Sequence, residues 1–279
     1  MPHSIAAHPI AARIDRPVDE CTRPTARMPA PLEPLPESLE ILATRTEVAV
    51  SERLYSAGEA ADAWYRLMTG AACECIQTAD GRRQIVDFLL PGDLFGFCSR
   101  ARHECSVQII AEGTSLARYP RRYAEELASL DPEVAQVVRR RAFESISRLQ
   151  SRTVLLGRTN ALEKISAFLL EMIERTSAGA SDDLVLPMSR YDIADYLAMA
   201  VETVSRALTT LKALDAITLA NSRQVRITDR DALESRARGR RFLFEAARRP
   251  QSTEAPARPR TCARPSTPDR QETTQTSCS

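Results

Sequence analysis

The spacing of apolar residues changes along the chain and divides it. Up to about residue 38 there is no period. The stretch is rich in Pro and Ala and closes on PAPLEPLPESLE; proline blocks helices and removes a backbone donor, so it reads as a flexible arm. Its prolines and the acidic Asp15, Asp19 and Glu20 argue against a helical targeting peptide. Ser38 to Ala43 is predicted as a short opening helix. From Thr46 to Tyr119 the apolar residues come in short runs, WYRLM, RQIVDFLL, SVQIIAE and TSLARY. Gly58-Glu59, Thr69-Gly70, Asp80-Gly81, Pro91-Gly92-Asp93 and Glu112-Gly113-Thr114 punctuate them about every ten residues. Many short strands at that spacing indicate an all-β barrel or roll.

Helical spacing follows. Tyr123 to Leu130 is one helix, and Asp131-Pro132 restarts the chain with proline in a first turn. The next helix reaches about Leu156, with Val134, Val138, Ala142, Ile146, Leu149, Thr153 and Leu156 at intervals of three and four. That narrow seam suits a coiled-coil partner helix, although part of it suits packing against the chain's own roll. Arg139-Arg140-Arg141 reads as a solvated face. A further helix begins at Thr159 and ends near Ser177-Ala178-Gly179. Asp183 to Pro187 is a short strand, and AITLANSRQVRIT is two strands joined around Asn221-Ser222. Beyond Ser235 the tail is Arg-rich, then a Pro, Thr and Ser run with no core-forming pattern; Arg236 to Arg249 is a candidate helix.

Met188 to Leu211 carries the candidate chemistry. Tyr191, Ile193, Ala194 and Leu197 make one apolar face. After a break at Ala198-Met199-Ala200, Val204, Ala207, Leu208 and Leu211 make a second. Two short helices joined by such a turn form a helix-turn-helix, whose second helix enters the DNA major groove. Outward on that helix stand Val201, Glu202, Ser205 and Arg206. Arg donates two parallel hydrogen bonds to guanine, Glu accepts from cytosine N4, and Ser serves either role. The plainer alternative is an amphipathic hairpin in which Glu202 and Arg206 form a solvated i,i+4 pair. In the hairpin that follows, Arg223 and Arg226 are placed to meet phosphates.

Composition alters this little. The 279 residues are 43% hydrophobic and 27% charged with a net charge of +1, so no global basic field announces a nucleic acid. No apolar run approaches the ~20 residues of a membrane span, and MPHSIAAHPIAARID lacks the core of a secretory signal. Seven cysteines, an odd number, read as reduced thiols of a cytoplasmic protein. His3, His8 and His103 are the three histidines; none pairs with a Cys or carboxylate at ligand spacing, which argues against an enzyme.

VETVSR, preceded by SRYDIADYL, resembles the recognition motif of the Crp/Fnr superfamily of transcription regulators. It is nearest the FNR and FixK branch, whose recognition helices carry Glu-x-x-Ser-Arg, here Glu202, Ser205 and Arg206. The resemblance runs in register from about Leu39 to Leu233, with Ala198 where glycine is common. It implies an α+β chain: an arm (1–38), a cyclic-nucleotide-binding-like β-roll (39–130), a dimerisation helix (131–157), a winged helix-turn-helix (158–235) and a tail (236–279). It further implies a homodimer on double-stranded DNA at a palindrome of the type TTGAT…ATCAA, contact with RNA polymerase, and control of low-oxygen respiration or nitrogen-fixation genes. Relatives that bind cyclic AMP hold its ribose with Gly-Glu and its phosphate with Arg-Ser. Here Gly96-Phe97 and Cys105-Ser106 stand instead, so no nucleotide or other cofactor is expected. The alternative is a sensor gated by cyclic nucleotide or haem. FNR ligates an iron–sulfur cluster with several N-terminal cysteines; this arm offers only Cys21. Cys73 and Cys75 would share one strand face, with Cys98 and Cys105 further on, and no metal site is expected of them.

Overall fold

The computed structural model describes residues 32–177 and 182–237; most of the arm, and the candidate helix beyond Ala237, lie outside them. α1 (Glu37–Glu40) is shorter than predicted and leaves Ile41 exposed. The packed chain begins before it: Leu35 is buried with Leu39 and Trp64.

Eight strands follow: β1 (Thr44–Val48), β2 (Arg53–Tyr55), β3 (Ala63–Thr69), β4 (Ala72–Gln77), β5 (Arg83–Leu89), β6 (Leu94–Phe95), β7 (Ser106–Ile109) and β8 (Thr114–Pro120). They form two antiparallel sheets, ordered β1-β8-β3-β6 and β2-β7-β4-β5. Alternation along each strand sends Tyr55, Leu67, Ala72, Leu89, Val107 and Leu116 inward to one core. The β3–β4 turn needs Gly70: φ is +80°, and a Cβ there would lie 2.1 Å from the Thr114 hydroxyl.

α2 (Arg121–Leu130) and α3 (Pro132–Leu156) leave the roll, with Asp131 capping α3 by accepting from Glu133 N. The seam on α3 divides. Val134 and Val138 pack into the core that Leu39, Trp64 and Tyr119 build on the roll, whereas Ile146, Leu149 and Thr153 stay exposed. Phe143, absent from the predicted seam, is 59% exposed on the same half. The roll meets the distal half through Arg148, Arg152 and Leu155 on one side, so the other side of that half offers an apolar stripe. The Arg139–Arg141 run is not simply solvated: Arg140 and Arg141 bond Glu33 at 2.6 and 2.8 Å.

α4 (Ala161–Ser177) starts under Asn160, whose Oδ1 accepts from Leu162 N. Then come β9 (Asp183–Val185), α5 (Arg190–Leu197), α6 (Val201–Ala213), β10 (Ile217–Leu219), β11 (Gln224–Ile227) and α7 (Arg230–Arg236), the last capped by Asp229. One continuous core runs from Cys73, Ile85 and Phe88 of the roll, through Phe168 and Met172 of α4, to Tyr196, Val204 and Leu211. Beside it lies a buried charge cluster. Asp87 accepts from Arg148 at 2.9 Å and faces Arg175 at 3.5 Å, and Arg175 donates to Asp93 at 2.7 Å. No helix among the described residues is long and apolar enough to cross a membrane.

Candidate nucleic-acid interface

The interface is built from α5 upward. Ser189 accepts from Asp192 N while the Asp192 carboxylate takes back the Ser189 N–H, a reciprocal capping box that starts the helix. Ile193, Ala194 and Leu197 are buried as the spacing predicts. Tyr191 is not: it is 57% exposed, and Tyr196 fills the core at 1%. Tyr196 lies three residues from Ile193, on the same face, whereas Tyr191 lies two residues away and turns outward.

Ala198 then takes a left-handed conformation (φ 50°, ψ 58°). The amide N–H groups of Ala198 and Met199 both reach Ala194 O. A Cβ in that region costs about 1–2 kcal/mol, held here by the packing of Met199 against the core on the far side of the turn.

α6 buries Val204, Ala207, Leu208 and Leu211. Its opposite side shows Glu202, Ser205, Arg206 and Thr209; Glu202, Arg206 and Thr209 are exposed and Ser205 half-buried. Val201 is half-buried and leans on the core, so it contributes an edge of the surface. Thr209, three residues beyond Arg206, was missed by sequence reasoning although the i+3 spacing pointed to it; its hydroxyl donates to Ser205 O at 2.9 Å. The side chains of Glu202 and Arg206 find no hydrogen-bonding or ionic partner among the described residues, and the alternative i,i+4 pair is not made. Ala200 gives α6 no side-chain cap.

β10 and β11 form the expected hairpin, with β9 added as a third strand. The Asn221 side chain accepts from the amides of Arg223 and Gln224 and shapes the tip. Arg223 is exposed, with one long bond to Pro187 O at 3.4 Å. Arg226 differs: it forks onto Asp183 at 2.5 and 3.2 Å.

Two aromatic contacts lie in the roll near Gly96-Phe97 and Cys105-Ser106, the pairs that the resemblance sets against the nucleotide-binding residues of relatives. Phe97 packs edge-on against Trp64 at 5.0 Å, and the His103 ring stacks on Tyr55 at 3.7 Å. No three His, Cys, Asp or Glu side chains converge on a metal position among the described residues. The four cysteines of the roll are free. Cys73 is fully buried, and burial pushes its thiol up to about 12; Cys105 is pushed up to about 11, by burial first and then by the nearby Glu74. Such thiols carry little thiolate at neutral pH. Cys73 and Cys75 both face the core shared with α4, despite the register shift after Glu74.

Comparison with known proteins agrees with this geometry. A Crp-like helix-turn-helix domain matches residues 163–236, and a cyclic nucleotide-binding domain matches residues 45–131. The nitrogen fixation regulation protein FixK of Azorhizobium caulinodans is 37% identical over 195 residues, which is 69% of this chain and 78% of that protein. FixK of Rhizobium meliloti is 39% identical over 182 residues, 65% of this chain and 82% of that one. The structure of FixK2 from Bradyrhizobium japonicum superposes with a TM-score of 0.65 at 35% identity, over 69% of this chain and 96% of its own.

Proposed function

The chain belongs to the Crp/Fnr family of transcription regulators, and we propose that it reads a FixK-type palindrome as a homodimer, one α6 in the major groove of each half-site. Arg206 donates its fork to a guanine, Glu202 accepts from a cytosine, Ser205 bonds either kind of base edge, and Val201 makes apolar contact. Arg223 meets a phosphate directly; Arg226 does so by exchanging Asp183 for it. The observation that carries the reading is the contrast across α6. One face is locked in the core, while the charged groups of the other engage nothing among the described residues.

Dimerisation is supported by Phe143, Ile146 and Leu149, an apolar stripe exposed on the distal half of α3. Full burial of such a side chain is worth about 1.5–3 kcal/mol, and burying what remains exposed of each against a second copy gains roughly half of that. The roll serves as a scaffold without a nucleotide, because Phe97 and Cys105 supply neither the carboxylate nor the guanidinium that a ribose phosphate requires. By its likeness to the FixK proteins, the regulator acts in the cytoplasm with RNA polymerase, on genes of low-oxygen respiration or nitrogen fixation.

The test is a titration of the purified protein, with no ligand added, against TTGAT…ATCAA and against random DNA, with sedimentation giving its mass. The expected outcome is a dimer that prefers the palindrome by about a thousandfold or more. Millimolar cyclic AMP should leave the melting temperature unchanged, whereas a ligand at a hundred times its dissociation constant would add about 2.7 kcal/mol. A monomer, equal affinities, or dependence on the nucleotide would contradict the proposal.

A further inference from the structure

α5 leads into the reading helix, and its last three carbonyls are all bonded by side chains from elsewhere in the molecule. Asp195 O accepts from Gln84 Nε2 on β5. Tyr196 O accepts from Arg152 Nη2 on α3 at 3.3 Å, and Leu197 O from Lys164 Nζ on α4 at 3.2 Å. A helix end leaves its final carbonyls without internal partners and carries the negative pole of the dipole, so amide and cationic donors complement it. The roll, the long helix and α4 thus each hold one residue of the same turn, immediately before Ala198.

The other end of α5 is held as well. Arg83 Nη2 on β5 donates to Asp192 Oδ1 at 2.6 Å, while Asp192 Oδ2 stays in the capping box with Ser189. The second arm of Arg83 donates to Gln108 on β7 at 3.0 Å, which anchors the guanidinium to the roll. Arg152 also donates to Ile85 O at 2.5 Å and lies 5.0 Å over the Tyr196 ring, joining α3, β5 and α5 through one side chain. Phe88 of the roll and Phe168 of α4 close on Tyr196 at 5.0 and 5.9 Å.

We propose that Arg83 and Gln84 are positioning residues for DNA reading. With Arg152 and Lys164 they clamp α5 at a fixed angle to α3, and in the dimer that angle selects the distance between half-sites. Neither Arg83 nor Gln84 belongs to α6, so their loss removes no base contact. It frees the helix-turn-helix, together with α4 on which it is packed, to swing at the α3–α4 junction. A clamped pair of reading heads accepts one spacing, because the second head binds as an intramolecular step only when its target sits in place; loosened heads accept several spacings at lower effective concentration.

The inference rests on the dimer-and-palindrome reading, and the experiment separates the two. The full chain and the variant Arg83→Ala/Gln84→Ala are titrated against the palindrome, palindromes lengthened by one and by two central base pairs, and a single half-site. The parent should prefer the native spacing by about tenfold or more. The variant should keep its half-site affinity to within about twofold, while its preference among spacings falls to about twofold or less. Arg83→Lys, which keeps the charge beside Asp192, should retain most of the preference. Gln84→Ala alone removes one neutral donor from an otherwise intact fold, and should fall between parent and double variant. A parent without spacing preference overturns the palindrome reading, and the clamp with it. A parent with the preference, and variants that keep it undiminished, overturn the clamp alone.

Discussion

The arginines where the roll meets α5 and the arginine of α6 live in opposite circumstances. At the junction Arg83, Arg148, Arg152 and Arg175 all turn inward onto carboxylates and carbonyls of neighbouring elements. On α6 Arg206 is exposed and its guanidinium engages nothing among the described residues. Taking a guanidinium out of water is tolerated only when carboxylates and carbonyls receive most of its donors, so the junction arginines are spent on architecture. The Arg206 fork is left open, which is what the proposed base contact requires. The lesson is that the tally of basic residues says little about a polyanionic partner. On the proposed reading, a chain of net charge +1 would bind DNA through the few cations its own fold leaves unclaimed.

That contrast breaks most visibly at the junction. Asp87 receives Arg148 and faces Arg175 in the buried cluster. Asp87→Asn leaves two guanidinium groups sharing Asp93 and Glu171, and is expected to cost about 3–5 kcal/mol, the range for breaking a buried pair. Thermal melting measures it. An unchanged melting temperature would mean that these arginines are no more committed than Arg206.

Acid–base behaviour sharpens the same point at intermediate size. Glu74 sits opposite Asp87 across the β4–β5 pair, and burial, then the Asp87 charge, pushes its carboxyl from 4.5 up to about 7. In that window the folded protein holds a proton that the unfolded chain has released. The Glu74 contribution is therefore most favourable below pH 4.5 and declines as pH rises towards 7. Urea unfolding of the parent and of Glu74→Gln at pH 5 and pH 8 should show the variant gaining on the parent at the higher pH. An equal difference at both values would remove Glu74 as the cause.

The wing offers the smallest effects. The pair of Arg226 with Asp183 is exposed and screened by solvent, so Arg226→Ala should barely move the melting curve. Arg223→Ala should weaken palindrome and random DNA alike and reduce the salt slope by about one. Weakening confined to the palindrome would place Arg223 on a base instead.

Much of this was legible in the sequence, for reasons particular residues make plain. Punctuated short runs gave away the roll, and Asn221 between two alternating runs gave away the wing, because turn chemistry is local. The Ser189-to-Asp192 box that starts α5 is a local signal of the same kind, and sequence reasoning missed it. Tyr191 misled because a short helix has few residues to define its face, and Tyr196 sits closer to the buried side. The α3 seam split because which side of the helix the roll covers depends on strands many residues away. The clamp on α5 left no trace in the pattern: its acceptors are backbone carbonyls, and its donors, Gln84, Arg152 and Lys164, lie 33 to 111 residues from them. Long-range bonds to main-chain atoms impose no spacing on the sequence.

The central claim, that α6 reads base edges through side chains the fold leaves free, is tested most directly by Arg206→Ala. Parent and variant are titrated against the palindrome, the palindrome with its guanines replaced, and random DNA, at two salt concentrations. A lost bidentate contact is worth about 1–3 kcal/mol at each half-site. The variant should therefore fall far behind the parent on the true palindrome, match it on the guanine-replaced version, and hold random DNA almost as well, because phosphate contacts remain. Equal weakening on all three DNAs would make Arg206 a phosphate contact and contradict the assignment of α6 as the reading helix.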